Sequence, residues 1–342
     1  MLVTVAFNKA IAASLGGANL EAVVVSQENL FPEGVEYSSS QEHFFLSSLT
    51  EGTVYQVGND GIAVPFIEDE RLVSSIGIQL DEQRDRLLVA NSDPGVGDRT
   101  SVATQGSLAA LGIYNVFTGE AISYTELGSL RPNAPHFAND IATDESGNAY
   151  VTDSFSPIIY QVDVAGTPSV FLEDERFQGE GFGLNGIVSH PDNFLIVAQS
   201  NAGTLFKVPL DNPEAFSAIE SEQSFPGADG LLLIDDTTLL LVSNSLNQVF
   251  ALSSDDRWES AVVEDSFATG NVFPTTATAR QAEIFVLYAQ LNQLLAASEP
   301  PSVEEFTIQQ VGVDEPEAIP EPTAIFGMFT FSLGFALRKR QR

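Results

Sequence analysis

The chain has 342 residues and no cysteine, and its 47 acidic residues outnumber 14 lysines and arginines to give a formal net charge of −33. So acidic a surface repels phosphate backbones, which argues against nucleic acid as a partner, and the lack of cysteine excludes disulfides and thiolate metal sites. Because 44% of the residues are hydrophobic and 18% are charged, the composition fits two ordinary domains or one large all-β domain.

Residues 1–17 form a poor signal segment. They contain two short apolar pieces, LVTVAF and AIAASLGG, but Asn8 and Lys9 interrupt the apolar character and no cation precedes the first piece. A secretory signal has a cationic start followed by an unbroken apolar stretch. We expect a signal here because the far end of the chain has the features of an exported protein.

Residues 18–311 contain a repeated unit of about 45 residues. Each unit has an apolar run that usually ends in a small polar residue, and most then have an aliphatic-aromatic-x-aliphatic tetrad. The runs read FFLSS, LLVANS, YVTDS, LIVAQS, LLVSNS and IFVLYA. The tetrads read VYQV, IYNV, IYQV, LFKV and VFAL, with a degraded IQQV at Ile308–Val311. Apolar runs of this length, bounded by Asp, Asn, Ser and Gly, predict strands joined by hairpins.

A second, longer repeated sequence indicates that each unit has four strands. PFIEDERL at Pro65–Leu72 recurs 105 residues later as VFLEDERF at Val170–Phe177, which indicates outer strands running into loops. The six units are predicted to begin near Glu33, Ser75, Asn139, Asn185, Asp229 and Thr275. The second unit is oversized by a Gly/Ser/Thr-rich stretch, Ser92–Gly112, which we expect to hang over one face as a lid. Four strands per unit of about 45 residues are typical of propeller blades.

The ends of the repeat region predict how the ring closes. The sixth unit lacks a fourth strand, whereas the apolar segment Glu21–Ser26 has no unit of its own. Pairing that segment with the sixth unit leaves no free sheet edge. The predicted fold is therefore an all-β, six-bladed β-propeller closed by an N-terminal strand, with a short C-terminal hydrophobic segment beyond it.

The C-terminal region is predicted to contain an acidic, proline-rich linker at residues 312–322 and a hydrophobic tail at 323–342 that ends in RKRQR. The uncharged part, Thr323–Leu337, is shorter than the roughly 17–25 residues of a bilayer span. With Pro320-Glu321-Pro322 before it, the tail resembles the PEP-CTERM sorting signal. That resemblance implies export to the cell surface or the extracellular medium, with the tail as a transient or stable membrane anchor. It also implies a sorting protease at the membrane as a partner. The alternative is a buried terminal helix.

Four of the units open on a polar residue that a propeller would bring to its channel. The openings read FPEGVEY, FANDIATD, GLNGIVSH and GADGLLLI, with Glu33, Asn139, Asn185 and Asp229 as the polar residues. Carboxylate and amide oxygens gathered in one place suit a hard cation such as calcium. The alternative is structural, since Asn and Asp often satisfy backbone groups at strand starts and in turns.

These openings resemble those of the regucalcin/gluconolactonase/luciferin-regenerating enzyme family. The resemblance implies one divalent cation, expected to be calcium, held by Glu33, Asn185 and Asp229. It also implies that Asn139 contacts the substrate and that Asp229 is the catalytic general base. The sequence departs from the family at Asn139-Asp140-Ile141, where N-D-G is expected, and at Phe137, where an arginine is frequent.

The implied function is an exported, calcium-dependent hydrolase of lactones or related esters that acts as a monomer on a small molecule. The alternative is a non-catalytic surface propeller that binds a glycan or a protein partner. The three histidines, His43, His136 and His190, are scattered, and neither a nucleophile elbow nor a phosphate-binding loop occurs. Trp258 and the phenylalanines are interpreted as packing between blades.

Overall fold

The computed structural model describes residues 20–296 and 302–311, which form six four-stranded antiparallel sheets arranged as the blades of a propeller. The first strand, β1 (Ala22–Ser26), belongs to the last blade. Blade 1 consists of β2 (Val35–Ser38), β3 (His43–Leu46), β4 (Val54–Val57) and β5 (Ala63–Ile67). Blade 2 consists of β6 (Ser74–Asp81), β7 (Arg86–Ser92), β8 (Ala109–Asn115) and β9 (Ala121–Glu126).

The remaining blades repeat the same order from the inner strand outwards. Blade 3 consists of β10 (Ala138–Thr143), β11 (Ala149–Asp153), β12 (Ile158–Val162) and β13 (Pro168–Glu173). Blade 4 consists of β14 (Leu184–His190), β15 (Phe194–Gln199), β16 (Thr204–Pro209) and β17 (Ser217–Ala218). Blade 5 consists of β18 (Ala228–Asp235), β19 (Thr238–Ser243), β20 (Gln248–Ser253) and β21 (Val262–Ala268). Blade 6 consists of β22 (Pro274–Arg280), β23 (Glu283–Tyr288), β24 (Glu305–Val311) and β1.

Closure of the ring by the N-terminal strand is confirmed. Strand β1 pairs antiparallel with β24, from Ala22 opposite Gln309 to Ser26 opposite Glu305. The inward residues Val23 and Val25 are at most 1% exposed. The two ends of the propeller thus share one sheet, which removes the edge that the last blade would otherwise present to solvent.

Helical structure is limited in residues 20–296 and 302–311. One α-helix, α1 (Leu291–Ala296), lies between β23 and β24. Single turns of 3₁₀ helix occupy Glu82–Arg84, Gly128–Leu130, Glu175–Phe177 and Pro213–Ala215. No helix of the described chain is long and apolar enough to cross a membrane. The predicted signal segment at 1–17, the linker at 312–322 and the tail at 323–342 lie outside the described residues.

The insertion of blade 2 is shorter than the sequence predicted. Residues 109–112 belong to β8, where Ala109 pairs with Ser92 and Gly112 pairs with Val89, so the connecting loop spans only 93–108. The prediction was wrong at this boundary because the Gly/Ala composition concealed a buried strand. The loop folds on Asp93, whose carboxylate accepts hydrogen bonds from the hydroxyls of Thr100 and Thr104 at 2.7 and 2.6 Å.

The small polar residues that end the second strands join neighbouring blades. The Ser92 hydroxyl donates to the carbonyl of Ala138 in blade 3 at 2.9 Å, and the Ser154 hydroxyl donates to that of Leu184 in blade 4 at 2.5 Å. Trp258 is fully buried in the apolar cluster that blades 4 and 5 share, as predicted, and its indole donates to the Asp236 carbonyl at 3.0 Å. The inner strands are therefore held in register by specific bonds as well as by packing.

Candidate active site

A β-bulge near the start of each inner strand from blade 2 to blade 6 directs a side chain toward the channel. In blade 5, Ala228 pairs with Ser243 and the next paired residue is Leu231, opposite Leu241, so two residues of β18 lie opposite one of β19. The equivalent pairs in the other blades are Ser75/Ile78, Ala138/Ile141, Leu184/Ile187 and Pro274/Ala277. Bulges change the direction of a side chain and are frequent beside functional sites.

The first bulge residue of each blade, together with Glu33 just before β2, forms what we call the channel ring. Its members are Glu33, Ile76, Asn139, Asn185, Asp229 and Thr275, all at most 6% exposed. The four residues that the sequence singled out are thus brought together, and the first five members line one cavity. In blade 2 the ring position is Ile76, because Ser75, the predicted start of that unit, pairs with Asn91 immediately before the bulge.

The residue after each ring position packs against the next inner strand. A Cβ on Gly186 would lie 2.1 Å from the Asp229 carbonyl oxygen, and one on Gly77 would lie 2.4 Å from that of Asn139. These glycines therefore permit a close approach of strands, and the Asn-Gly and Asp-Gly pairs of this site are not turns. Blade 3 has Asp140 at this position, and its carboxylate accepts a hydrogen bond from the backbone N–H of Ile187 at 3.1 Å.

The ring concentrates polar atoms that have no partner. Among the described residues, six buried side-chain nitrogen or oxygen atoms lack a hydrogen bond within the protein. Four of them are ring oxygens, namely Glu33 Oε2, Asn139 Oδ1, Asn185 Oδ1 and Thr275 Oγ1. A fifth, Asn201 Nδ2, belongs to a residue that lines the same cavity. Because unpaired buried polar atoms are rare and costly, their clustering at one place points to a bound group.

The two ring carboxyls have unusual proton affinities. Burial, and then the charges of Asp229 and Asp140, raise the pKa of Glu33 well above its ordinary value. Burial also raises the pKa of Asp229 to about 8, although hydrogen bonding from Asn244 and Asn185 opposes this shift. Both carboxyls therefore lack a compensating positive charge from the protein.

Hydrogen bonds fix the orientation of two ring side chains. The Asn139 amide nitrogen donates to the Ser154 hydroxyl at 2.8 Å. This bond fixes the orientation of the side chain and leaves its amide oxygen without a partner in the protein. Asp229 Oδ2 accepts from the Asn244 amide at 2.9 Å, and the hydroxyl of Ser245 donates to the Asn244 oxygen at 3.0 Å. These contacts orient the ring without occupying all of its oxygens, which leaves the set available to a ligand.

The cavity above the ring has a volume of about 350 Å³, within the range of small-molecule sites. Pro94, from the loop between β7 and β8, lines it, so that loop reaches the predicted face. The loop is bonded to the propeller body, since the backbone N–H of Asp98 donates to the Thr50 carbonyl at 2.7 Å. Leu291 and Leu295 of α1 line the cavity as well.

Sequence reasoning missed several lining residues. Asn201, Asn244 and Ser245 follow second strands, and the recurring polar ends of LIVAQS and LLVSNS were the available signal for them. Phe137 and Phe182 also line the cavity, so the interpretation of the phenylalanines as packing alone was incomplete. No local pattern separates a phenylalanine that faces a cavity from one that faces a neighbouring blade.

The ring offers oxygen ligands only. Within 20–296 and 302–311, no three His, Cys, Asp or Glu side chains gather in a way that could hold a metal by themselves. Amide or hydroxyl oxygens are therefore needed beside Glu33 and Asp229, and the unpaired oxygen of Asn185 meets that need. A set of carboxylate and amide oxygens suits calcium better than zinc.

Solved structures with the same fold span almost the whole chain. The allergen Mala s 1 of Malassezia sympodialis has a TM-score of 0.70 and 17% identity over 87% of this chain and 98% of its own. A gluconolactonase from Xanthomonas campestris has a TM-score of 0.61 and 15% identity over 89% of this chain and 93% of its own. A luciferin-regenerating enzyme has a TM-score of 0.58 and 12% identity over 86% of this chain and 96% of its own. No family model and no curated protein matches the sequence. At these identities the likeness shows the six-bladed fold and leaves the activity to be argued from the site.

Proposed function

We propose that the protein is a divalent-cation-dependent hydrolase of lactones or related esters, with calcium as the cation. The observation that carries the proposal is that Glu33, Asn139 and Asn185, each with an unpaired, buried oxygen, line one cavity. Glu33, Asn185 and Asp229 would hold the cation, because they combine two uncompensated carboxyls with a free amide oxygen. A bound divalent cation polarises an ester carbonyl and stabilises the negative charge that develops on its oxygen.

The chain supplies a general base and an orienting group for the reaction. In lactone hydrolysis the oxygen of water bonds to the carbonyl carbon, the bond from that carbon to the ring oxygen breaks, and the ring oxygen leaves as a hydroxyl. Asp229 takes a proton from the attacking water and returns it to the leaving oxygen. The Asn244 amide holds one oxygen of Asp229 in place for this role.

Asn139 orients the substrate in this proposal. Its amide nitrogen is committed to Ser154, whereas its oxygen has no partner in the protein and its side chain lines the cavity. A substrate hydroxyl can donate a hydrogen bond to this oxygen, and that bond would hold the substrate in one orientation. The structural likeness to a gluconolactonase supports lactones as the class to test first.

A lactone panel assayed with and without a calcium chelator tests the proposal. We expect turnover of at least one five- or six-membered lactone, its loss on chelation, and its return when calcium is restored. Turnover that is unaffected by chelation contradicts the cation requirement. If no lactone or simple ester is hydrolysed at any calcium concentration, the hydrolase proposal fails and a non-catalytic binding propeller replaces it.

A further inference from the structure

We propose that the cavity binds a neutral lactone or ester with an aliphatic or aromatic substituent, in preference to a polyhydroxylated or anionic one. This inference rests on the proposed function for the reacting bond and adds the class of its substrate. The supporting observation is that the polar and the apolar residues that line the cavity come from different blades.

Most of the polar and apolar lining residues occupy different sectors of the propeller. The polar ones above the ring are concentrated in blades 4 and 5, namely Ser200, Asn201, Asn244 and Ser245, with Pro226 beside them; Glu180 lies in the connection between blades 3 and 4. The apolar ones come from blades 1, 2, 3 and 6 and the connections beside them, namely Leu49, Pro94, Phe137, Phe182, Phe273, Leu291 and Leu295. A ligand that lies across the mouth therefore meets hydrogen-bonding groups at one end and hydrocarbon at the other.

The apolar sector contains a preformed aromatic wall. The rings of Phe137, Phe155 and Phe182 form a triangle with centroids 5.2, 5.3 and 5.4 Å apart. The Phe137 and Phe182 rings meet edge to face, at an interplanar angle of 86°. Because each ring is packed against the other two, the wall needs no rearrangement to receive an apolar group.

With the proposed cation balancing Glu33 and Asp229, the remaining charge of the cavity is that of Glu180, which disfavours an anionic ligand. Its charged lining residues are Glu33, Asp229 and Glu180, all acidic, and no lysine, arginine or histidine lines it in the described part of the chain. A sugar acid or phosphate would find no protein cation in this cavity.

The same walls disfavour a sugar lactone. Hydroxyl groups placed on the apolar sector lose their bonds to water and gain none from phenylalanine, leucine or proline side chains. By contrast, each methylene buried there raises affinity by about fourfold. An alkyl chain of a few carbons therefore outweighs several hydroxyls as a determinant of binding.

The first experiment compares two six-membered lactones in calcium-saturated protein. δ-Decalactone has a pentyl chain on the ring carbon where δ-gluconolactone has a hydroxymethyl group, and it lacks the ring hydroxyls of the sugar lactone. We expect kcat/KM for δ-decalactone to exceed that for δ-gluconolactone by about 100-fold or more, after correction for spontaneous hydrolysis. An equal value, or a preference for the sugar lactone, overturns the inference while leaving the hydrolase proposal intact.

A second experiment measures binding without turnover. Titration calorimetry compares δ-valerolactam with the same lactam carrying a pentyl chain, neither of which the protein is expected to hydrolyse. We expect the pentyl lactam to bind about 30-fold or more tightly. If the pentyl lactam binds tightly but no lactone is turned over, the apolar binding site is supported and the hydrolase proposal fails. If the pentyl lactam binds no more tightly than δ-valerolactam, the proposed preference for an apolar substituent is wrong.

Variants localise the effect to the aromatic wall. Phe182→Ser is expected to weaken binding of the pentyl lactam about tenfold and to leave δ-valerolactam unchanged, and Phe182→Leu is expected to retain most of the affinity. Phe171→Ser is the matched control, because Phe171 is half-buried in β13 against Tyr150 and does not line the cavity. Unchanged calcium affinity in each variant verifies that the ring is intact. Equal losses in the Phe182→Ser and Phe171→Ser variants overturn the assignment of Phe182.

Discussion

Both ends of the central channel contain buried carboxyls, but the carboxyls at the two ends differ in their hydrogen bonding. At the end opposite the cavity, Glu36 of β2 accepts hydrogen bonds from the Gln79 amide at 3.1 Å and from the backbone N–H of Leu80 at 3.3 Å. Its other oxygen accepts from the Thr278 hydroxyl at 3.4 Å. At the channel ring, one oxygen of Glu33 has no partner.

The comparison shows which property marks a site in this channel. Burial raises the pKa of Glu36 to about 8, as it raises the pKa of Asp229 to about 8, so an elevated pKa does not separate the two ends. The difference lies in the hydrogen bonds, because Glu36 has partners on both oxygens and the ring collects unpaired oxygens from four blades. A closed network stabilises the fold, whereas an open one is suited to a ligand.

Asp140 connects the two ends electrostatically. Burial raises its pKa to about 7, and its charge in turn raises the pKa values of Glu33, Asp229 and Glu36. The charge of Asp140 thus acts on the carboxyls at both ends of the channel, and at the ring it adds to the repulsion that Asp229 exerts on Glu33. A divalent cation at the ring reduces this repulsion, which is a second physical reason to expect one there.

The largest effect is expected from Asp229→Asn. It removes the proposed general base and one cation ligand, so kcat/KM for the preferred lactone should fall about 1,000-fold. Steady-state kinetics at saturating calcium measure the loss. Glu36→Gln, the same loss of a carboxyl at the other end of the channel, is the matched control and should change kcat/KM less than twofold. Comparable activity in the two variants contradicts the division of the channel into a reactive and a structural end.

The next largest effect concerns the cation. Glu33→Gln keeps the shape of the side chain but removes its charge, and the dissociation constant for calcium should rise about 10- to 100-fold. Titration calorimetry measures the affinity, and thermal unfolding with and without chelator gives an independent readout, because a bound ion stabilises the folded state. Glu36→Gln is again the control. If the Glu33→Gln variant binds calcium as tightly as the unmodified protein, Glu33 is not a ligand of the cation.

A smaller effect is expected from Asn139→Ala. Loss of the orienting oxygen should reduce kcat/KM about tenfold and leave calcium affinity unchanged, since Asn139 is proposed to contact the substrate and not the ion. Asn148→Ala is the control within the same blade, because Asn148 bonds to Asp144 in the turn before β11 and does not line the cavity. A marked loss of calcium affinity in Asn139→Ala would assign Asn139 to the cation site.

The smallest effect is a pH dependence of stability. Because the pKa of Glu36 is raised to about 8 when folded, from 4.5, the folded state keeps a proton that the unfolded chain releases. Stability therefore falls as pH rises from about 5 to 8, with Asp140 and Glu82 as the charges that face Glu36. Glu36→Gln should reduce this fall by about 1.4 kcal/mol between pH 6 and pH 7 in calcium-saturated protein, as measured by urea unfolding at the two pH values. Equal pH dependence in both proteins shows that Glu36 is already ionised when folded.

The sequence alone determined the architecture. Six units, four strands in each and the closing role of residues 21–26 follow from apolar runs and turn residues, which are local features of the chain. It also identified the four polar residues that the inner strands bring to the channel, because each opens a repeat. The roles of those residues as ligands, base and substrate contact stay predictions.

The tertiary structure decided the features that depend on contacts between blades. These features include the bulges that direct the ring, the presence of Ile76 at its blade 2 position, and the packing of Gly186 against Asp229. Each arises from the pairing or packing of one strand against another. The division of the cavity into a polar and an apolar sector has the same origin. A side chain's local pattern fixes its strand, whereas its neighbours, and hence its chemistry, are fixed only when the blades close into a ring.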